Sequence, residues 1–214
     1  YVDWFLDDCV EHIRAAAGVD GVTLLGICEG GTFSTLYAAR HAEKVKNLIL
    51  TITPIDFHAD QEHGDASHGF INLWTRNLTD DDINKLIDAF GNLPGEIMAS
   101  VFQLMSPVRT MTKYNLDLLD VVEDDKKLMN FLRMEKWLAD RPHHPGAAAK
   151  QWLIDLYKEN RLAKGTFELG GETVDLKRLT MPVLNVYALR TTSSRRPARQ
   201  RSDRWSEPTT IPSC

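Results

Sequence analysis

Val22-Thr23-Leu24-Leu25-Gly26-Ile27-Cys28-Glu29-Gly30-Gly31-Thr32-Phe33-Ser34-Thr35-Leu36 joins an apolar run, a glycine-rich turn and a helix-forming stretch without any intervening loop. A short apolar run that stops at glycine suits a buried strand, and the residues beyond the turn suit a helix. Strand, sharp turn and helix with Gly-x-Cys-x-Gly at the bend is the pattern of a nucleophile elbow, here with Cys28 where most elbows carry serine. The pattern predicts a strained backbone at Cys28, with the glycines two positions before and after it sparing collisions with the adjoining strand and helix. The thiol would then point into open space. Cys28 would also stand at the positive end of the following helix, where backbone dipoles favour an anion. The Glu29 N–H would donate to an oxyanion forming on a substrate carbonyl. The competing reading is a buried structural cysteine, since free Cys is among the most buried residue types.

With 214 residues, 43% of them hydrophobic and 26% charged, the chain has the make-up of one soluble globular domain with a sizeable core. No apolar run approaches the ~20 residues of a membrane span, and no signal peptide is visible, so a cytoplasmic protein is expected. Three cysteines, Cys9, Cys28 and Cys214, are too few and too irregular for a disulfide framework or a Cys-x-x-Cys metal site. Residues 1–189 carry 19 basic and 28 acidic side chains, a net of −9, whereas residues 190–214 carry six Arg and two acids, a net of +4. The composition changes abruptly there.

The stripe Val2, Phe5, Leu6, Cys9, Val10 and Ile13 predicts a helix over 2–17, closed by Gly18. The nucleophile strand is expected over 22–27 and its helix over 32–41. A second buried parallel strand follows over 47–53, stopped by Pro54, and the three elements together imply a right-handed crossover. Between 55 and 179 the pattern turns helical, with stretches at 80–90, 96–104, 114–121, 126–138 and 147–162 separated by proline and glycine breaks. So long an insertion suggests a lid over the site. Residues 167–169 and 172–174 flank Gly170-Gly171 as a hairpin, and 182–188 returns as a core strand. The expected organisation is a nucleophile-bearing core over 1–57, a helical lid over 58–179, a returning strand over 180–188 and a foreign tail over 189–214.

Other residues invite a functional reading, and the simpler one is preferred for each. Asp56 follows a strand and could serve as an acid, but Asp after Pro in a turn commonly bonds its own backbone. His58, His63 and His68, five apart, fit neither one helical face nor a zinc pattern, so a solvated loop is expected and no metal. His143-His144 lies between prolines in an expected surface turn. Trp74, Trp137 and Trp152 are expected in the lid core. Asp80-Asp81-Asp82 suits a helix start.

Several stretches together resemble the catalytic subunit of a polyhydroxyalkanoate synthase, most closely the shorter two-subunit type. They are Gly26-Ile27-Cys28-Glu29-Gly30-Gly31-Thr32-Phe33-Ser34, residues 44–48, Thr53-Pro54-Ile55-Asp56-Phe57, residues 91–95, residues 130–137 and residues 179–188. The resemblance runs from about residue 1 to residue 188. It implies an α/β-hydrolase fold with a parallel sheet and a helical lid insertion. It also implies an acyltransferase that polymerises (R)-3-hydroxyacyl-CoA onto a growing polyester chain from a covalent acyl-enzyme on Cys28. CoA thioester is then a substrate, and no cofactor is expected. A homodimer, a second synthase subunit and a place at cytoplasmic polyester granules are likewise implied. The rival readings are a Cys-nucleophile hydrolase of esters or lactones, sharing the elbow alone, and a non-catalytic fragment.

The family's triad is Cys, Asp and His, and only Cys28 has a counterpart. In a sheet of this kind several strands come before the elbow, so an N-terminal part is expected to be missing and the chain to be inactive alone. The Asp and His are expected beyond residue 188, where the chain instead reads Leu189-Arg190-Thr191-Thr192-Ser193-Ser194-Arg195-Arg196. A shifted reading frame accounts for this. Codons CGG-ACC-ACC-TCG-TCC-CGC-CGG for residues 190–196, read from the last base of the first, give Asp-His-Leu-Val-Pro-Pro, the segment the family carries there. A natural basic tail for nucleic acid has only scattered Arg in its favour, so no nucleic-acid partner is expected. Sequencing the coding DNA across this stretch is expected to return those seven codons, and a different set at residues 191–196 rules the frameshift out.

Overall fold

A computed structural model describes residues 1–59, 70–104 and 112–187. It divides into two compact units, one formed by Tyr1–Ser67 with Glu159–Cys214 and the other by His68–Lys158.

In the first unit a π-helical turn, Val2–Leu6, runs into α1 (Asp7–Ala17), which ends on Gly18 in the left-handed conformation at φ 63°. β1 (Val22–Ile27), α2 (Glu29–Arg40) and β2 (Val45–Thr51) follow, and β1 pairs with β2 in parallel. The strand expected to reach residue 53 stops at Thr51, because Ile52 turns out of the sheet with φ 46°.

In the second unit come α3 (Phe70–Asn77), α4 (Asp80–Phe90), β3 (Asn92–Leu93), α5 (Gly95–Leu104), a π-helical turn at Lys113–Asp117 and α6 (Asp125–Ala139). β4 (His144–Pro145) and α7 (Gly146–Lys150), continued by a π-helical stretch Gln151–Lys158, complete it. The acidic start of α4 is a capping box, in which Thr79 accepts from the Asp82 N–H and Asp82 from the Thr79 N–H. β3 pairs antiparallel with β4, so His144 stands opposite Leu93 in a small ladder instead of in a surface turn. Trp152 is buried as expected of a core residue, but Trp137 is 69% exposed. Helical spacing places a tryptophan on a face; it does not say that the face is covered.

The chain then rejoins the first unit. The helix expected to continue to residue 162 breaks at Asn160, which adopts φ 53°, and a short α8 (Arg161–Lys164) restarts behind it. Asparagine tolerates that conformation better than most residues. β5 (Glu168–Leu169) and β6 (Glu172–Thr173) form the expected hairpin, and β7 (Val183–Val186) joins the sheet in the order β1-β2-β7, parallel throughout. The expected lid boundary at 179 therefore includes a hairpin that groups with the sheet, where Phe167, Val174 and Leu176 are buried.

α2 covers one face of the sheet, burying Leu36, Tyr37, Ala38 and Ala39 with Leu48 and Leu50 of β2. Each fully buried leucine is worth about 1.5–3 kcal/mol. The opposite face stays apolar and exposed, with Leu25 at 62%, Ile27 at 57% and Leu184 at 57%. β2 is thus half-buried, not buried on both sides as its sequence suggests. Among the described residues no helix is long and apolar enough to cross a membrane.

α1 is pinned to the far end of α2. The buried Tyr37 hydroxyl donates to Asp7 Oδ1 at 2.7 Å, and Lys44 Nζ reaches Asp7 at 2.7 Å and Glu11 at 2.9 Å. The Lys44 hydrogen bond, with that from Tyr37, holds the Asp7 carboxyl below the ordinary range, while burial and Asp7 push the Tyr37 phenol up. A carboxyl held low in the folded state contributes stability above its unfolded pKa and loses it as pH falls through the folded value. Tyr37→Phe is expected to lower stability by about 1.5–3 kcal/mol at neutral pH, the worth of a hydrogen bond to a charged group. Urea midpoints should show that deficit shrinking at pH values where Asp7 protonates.

Candidate active site

β1 runs straight into α2 with Cys28 as the joint. Cys28 is exposed and takes φ 52° and ψ −123°, a conformation that costs a non-glycine residue about 1–3 kcal/mol. The structure thus departs from the reading of a buried structural cysteine. Its N–H donates to the Thr51 carbonyl at 2.9 Å, and its carbonyl accepts from Gly31 N–H at 2.9 Å and Thr32 N–H at 3.4 Å. These bonds fix the backbone of the bend at which the Cys28 side chain is exposed. Glu29 opens α2, which places its N–H at the positive end of that helix.

The steric demand of the bend falls on Gly26, as the motif suggests, but after Cys28 on Gly31 in place of Gly30. A Cβ at Gly26 would meet the Gly31 Cα and sit 2.7 Å from the Gly30 carbonyl, so β1 and the first turn of α2 touch backbone to backbone. A Cβ at Gly31 would collide with Thr53 Oγ1 and Cγ2. At Gly30, two residues after Cys28, a Cβ would meet nothing within 4 Å. The crowding therefore lies one residue later than the spacing Gly-x-Cys-x-Gly implies.

Hydroxyl groups tighten the same turn. Thr32 Oγ1 donates to the Pro54 carbonyl at 2.8 Å, while Ser34 and Thr35 donate to the Gly30 and Gly31 carbonyls at 2.8 Å. The Thr32 bond, with the Gly31 to Thr53 contact, ties the segment after β2 to the mouth of α2. Sequence reasoning passed over Thr32, Thr53 and Ile52; a threonine directly before Pro54 was the available signal that this segment is held and not free.

Asp56 is buried, and its Oδ1 accepts from His58 N–H at 3.0 Å and from Asn160 Nδ2 at 2.7 Å. Asn160 Oδ1 in turn accepts from Phe57 N–H at 3.0 Å. The carboxylate bonds its own backbone, as the turn reading expects, and also clasps a residue 104 positions away. His63 and His68 lie outside the described residues, as does the segment after Tyr187. His143 Nδ1 accepts from Gly95 N–H at 3.4 Å, within the helical unit. Among the described residues no group of three or more His, Cys, Asp or Glu is placed to hold a metal ion.

A family model described as the alpha/beta hydrolase fold matches residues 1–205. The chain belongs to that family. Within it, the chain is similar to proteins named poly(3-hydroxyalkanoate) polymerase subunit PhaC. The one from Allochromatium vinosum is 40% identical over 189 residues, which cover 88% of this chain and 50% of that protein. The one from Synechocystis is 40% identical over 188 residues, covering 88% and 49%. The chain thus spans about half the length of these two curated relatives. A solved Bacillus megaterium epoxide hydrolase in complex with an inhibitor is 15% identical with a TM-score of 0.41, covering 92% of this chain and 63% of that one, too loose a likeness to carry detail.

Gly26→Ala is expected to force β1 and α2 apart, at a cost of at least about 1–3 kcal/mol. Gly30→Ala, inside α2 with open space around it, should be neutral or stabilising by up to ~1 kcal/mol. Thermal unfolding of the two variants checks the order, and equal losses would contradict the assigned contact.

Proposed function

We propose that this chain is the nucleophile-bearing part of a polyester synthase, an acyltransferase that polymerises (R)-3-hydroxyacyl-CoA with release of CoA. The observation that carries the reading is Cys28, exposed on a strained bend at the mouth of a helix. The named relatives at 40% identity support the choice of substrate class.

In this mechanism the Cys28 thiolate attacks the carbonyl carbon of the thioester, and the oxyanion accepts a hydrogen bond from the Glu29 N–H. The bond to CoA sulfur breaks and CoA thiolate leaves. One thioester has replaced another, so the acyl group keeps its activation on the enzyme. The hydroxyl of a second acyl unit or of the growing chain then attacks, giving up its proton to the histidine implied by the resemblance, and the Cys28 sulfur is released. Water at that step would hydrolyse the acyl-enzyme, so the step requires a site from which water is excluded. No cofactor takes part. A homodimer, a second subunit and a place at polyester granules belong to the same proposal.

In a protein carrying this sequence at the full length of its relatives, Cys28→Ala is expected to lower CoA release from (R)-3-hydroxybutyryl-CoA at least about a thousandfold, as loss of a nucleophile does. Polymer formation should disappear with it. CoA release with soluble hydroxy acid and no polymer would instead mark a hydrolase. A thiol that alkylates readily while CoA release is absent would mark a non-catalytic protein.

A further inference from the structure

The parallel register places Ile27, Thr51 and Val186 side by side, so the next residues, Cys28, Ile52 and Tyr187, form a row across the carboxyl end of the sheet. Two 2.9 Å hydrogen bonds fix that row, from Cys28 N–H to the Thr51 carbonyl and from Ile52 N–H to the Val186 carbonyl. In open parallel sheets ligands bind beyond this end.

Ile52 is anomalous there. Its φ of 46° belongs to the left-handed region, which costs an ordinary residue about 1–2 kcal/mol and is rarer still for a β-branched side chain. The turn is needed, because it brings Thr53 onto Gly31 and Pro54 to the Thr32 hydroxyl. Glycine or asparagine would make the same turn at lower cost. Nor does burial offset the strain, since Ile52 is 47% exposed. A strained, exposed, β-branched residue in the row next to the nucleophile is explained by what its side chain does beyond the carboxyl end of the sheet.

We infer that Ile52 is a specificity-determining residue, whose side chain forms a wall beside Cys28 against which the substituent on C3 of the hydroxyacyl group lies. This rests on the thioester reading of Cys28 and adds to it the element that limits the length of the acyl chain. Its branched bulk favours a short substituent, and removing it opens room for a longer one.

The test uses a protein with this sequence at the full length of its relatives, in wild-type, Ile52→Gly, Ile52→Asn and Ile52→Val forms. CoA release is measured with (R)-3-hydroxybutyryl-CoA and with (R)-3-hydroxyhexanoyl-CoA. Each rate is divided by the rate of Cys28 alkylation by iodoacetamide in the same variant, which removes changes in thiol exposure. Circular dichroism selects the folded variants. Ile52→Gly is expected to raise the hexanoyl-to-butyryl ratio at least about tenfold, the lower bound for methylene discrimination in an apolar pocket. Ile52→Asn, which accepts the backbone conformation, serves if the glycine variant does not fold and should raise the ratio as well. Ile52→Val should stay near the wild type. A ratio unchanged within about twofold, or an equal loss of both rates, overturns the inference while leaving the acyltransferase reading standing. A wild-type protein that releases no CoA from either thioester sinks that reading, and this inference with it.

Discussion

The contact on which the rest depends is between backbones: β1 and the first turn of α2 meet at Gly26 and Gly31 with no room for a side chain at either. With no loop between strand and helix, the joint must reverse direction within one residue. Cys28 takes that reversal at φ 52°. Gly31 then presses on Thr53, and Thr32 holds the Pro54 carbonyl, so β2 must also turn within one residue, and Ile52 takes that turn at φ 46°. The two strained residues are two consequences of one approach. The strain persists because α2 and the sheet bury Leu36, Tyr37, Leu48 and Leu50 between them. At about 1.5–3 kcal/mol for each large apolar side chain, that burial outweighs about 1–3 kcal/mol at each bend.

The same helix is anchored at its other end by polar means. Arg40 pairs with Asp3 and with Glu172 of the hairpin, and Lys44 with Asp7 and Glu11. These pairs are partly buried at Arg40, Asp3, Lys44 and Asp7, and still open enough to solvent that each contributes modestly. The Tyr37 to Asp7 bond differs, because the phenol is buried and its loss would leave a charged acceptor short of a donor. That bond therefore aligns α1 with α2, while the surrounding charges mainly hold the arrangement in register.

Much of this was legible in the sequence, and the exceptions have a common cause. The elbow, the parallel strand after it, the hairpin and α4 follow from local signals: apolar runs, glycine pairs, and the acidic run Asp80-Asp81-Asp82. What eluded the pattern depends on distant residues. β2 ends at Thr51 and not two residues later, because Ile52 turns the chain so that Thr53 packs on Gly31, 22 positions earlier. The helix expected through residue 162 breaks where Asn160 leaves helical geometry, its side chain bonded to Asp56 and to the Phe57 N–H. Gly30 owes its presence in the motif to nothing steric, and spacing alone cannot distinguish it from Gly31. Trp137 satisfies helical periodicity and is nonetheless exposed. Asp56 was legible as a turn residue but not as a clasp, since a sequence carries no sign that an amide 104 residues away will reach it.

The one-sided sheet bears on how the site is held. Leu25, Ile49 and Leu184 lie in register across the three strands, as do Ile27, Thr51 and Val186 one step nearer the bend. Parallel sheets are normally covered on both faces. Here the described packing energy comes from the α2 side, while the exposed face carries apolar residues that gain nothing from water. Among the described residues the elbow is accordingly supported through the helix whose N-terminus it forms. Loosening α2 would release both bends together, because Cys28 and Ile52 are strained by the same contact. Sheet packing, nucleophile geometry and the neighbouring wall are thus coupled, and a substitution at Gly31 or Thr53 acts on Cys28 without touching it.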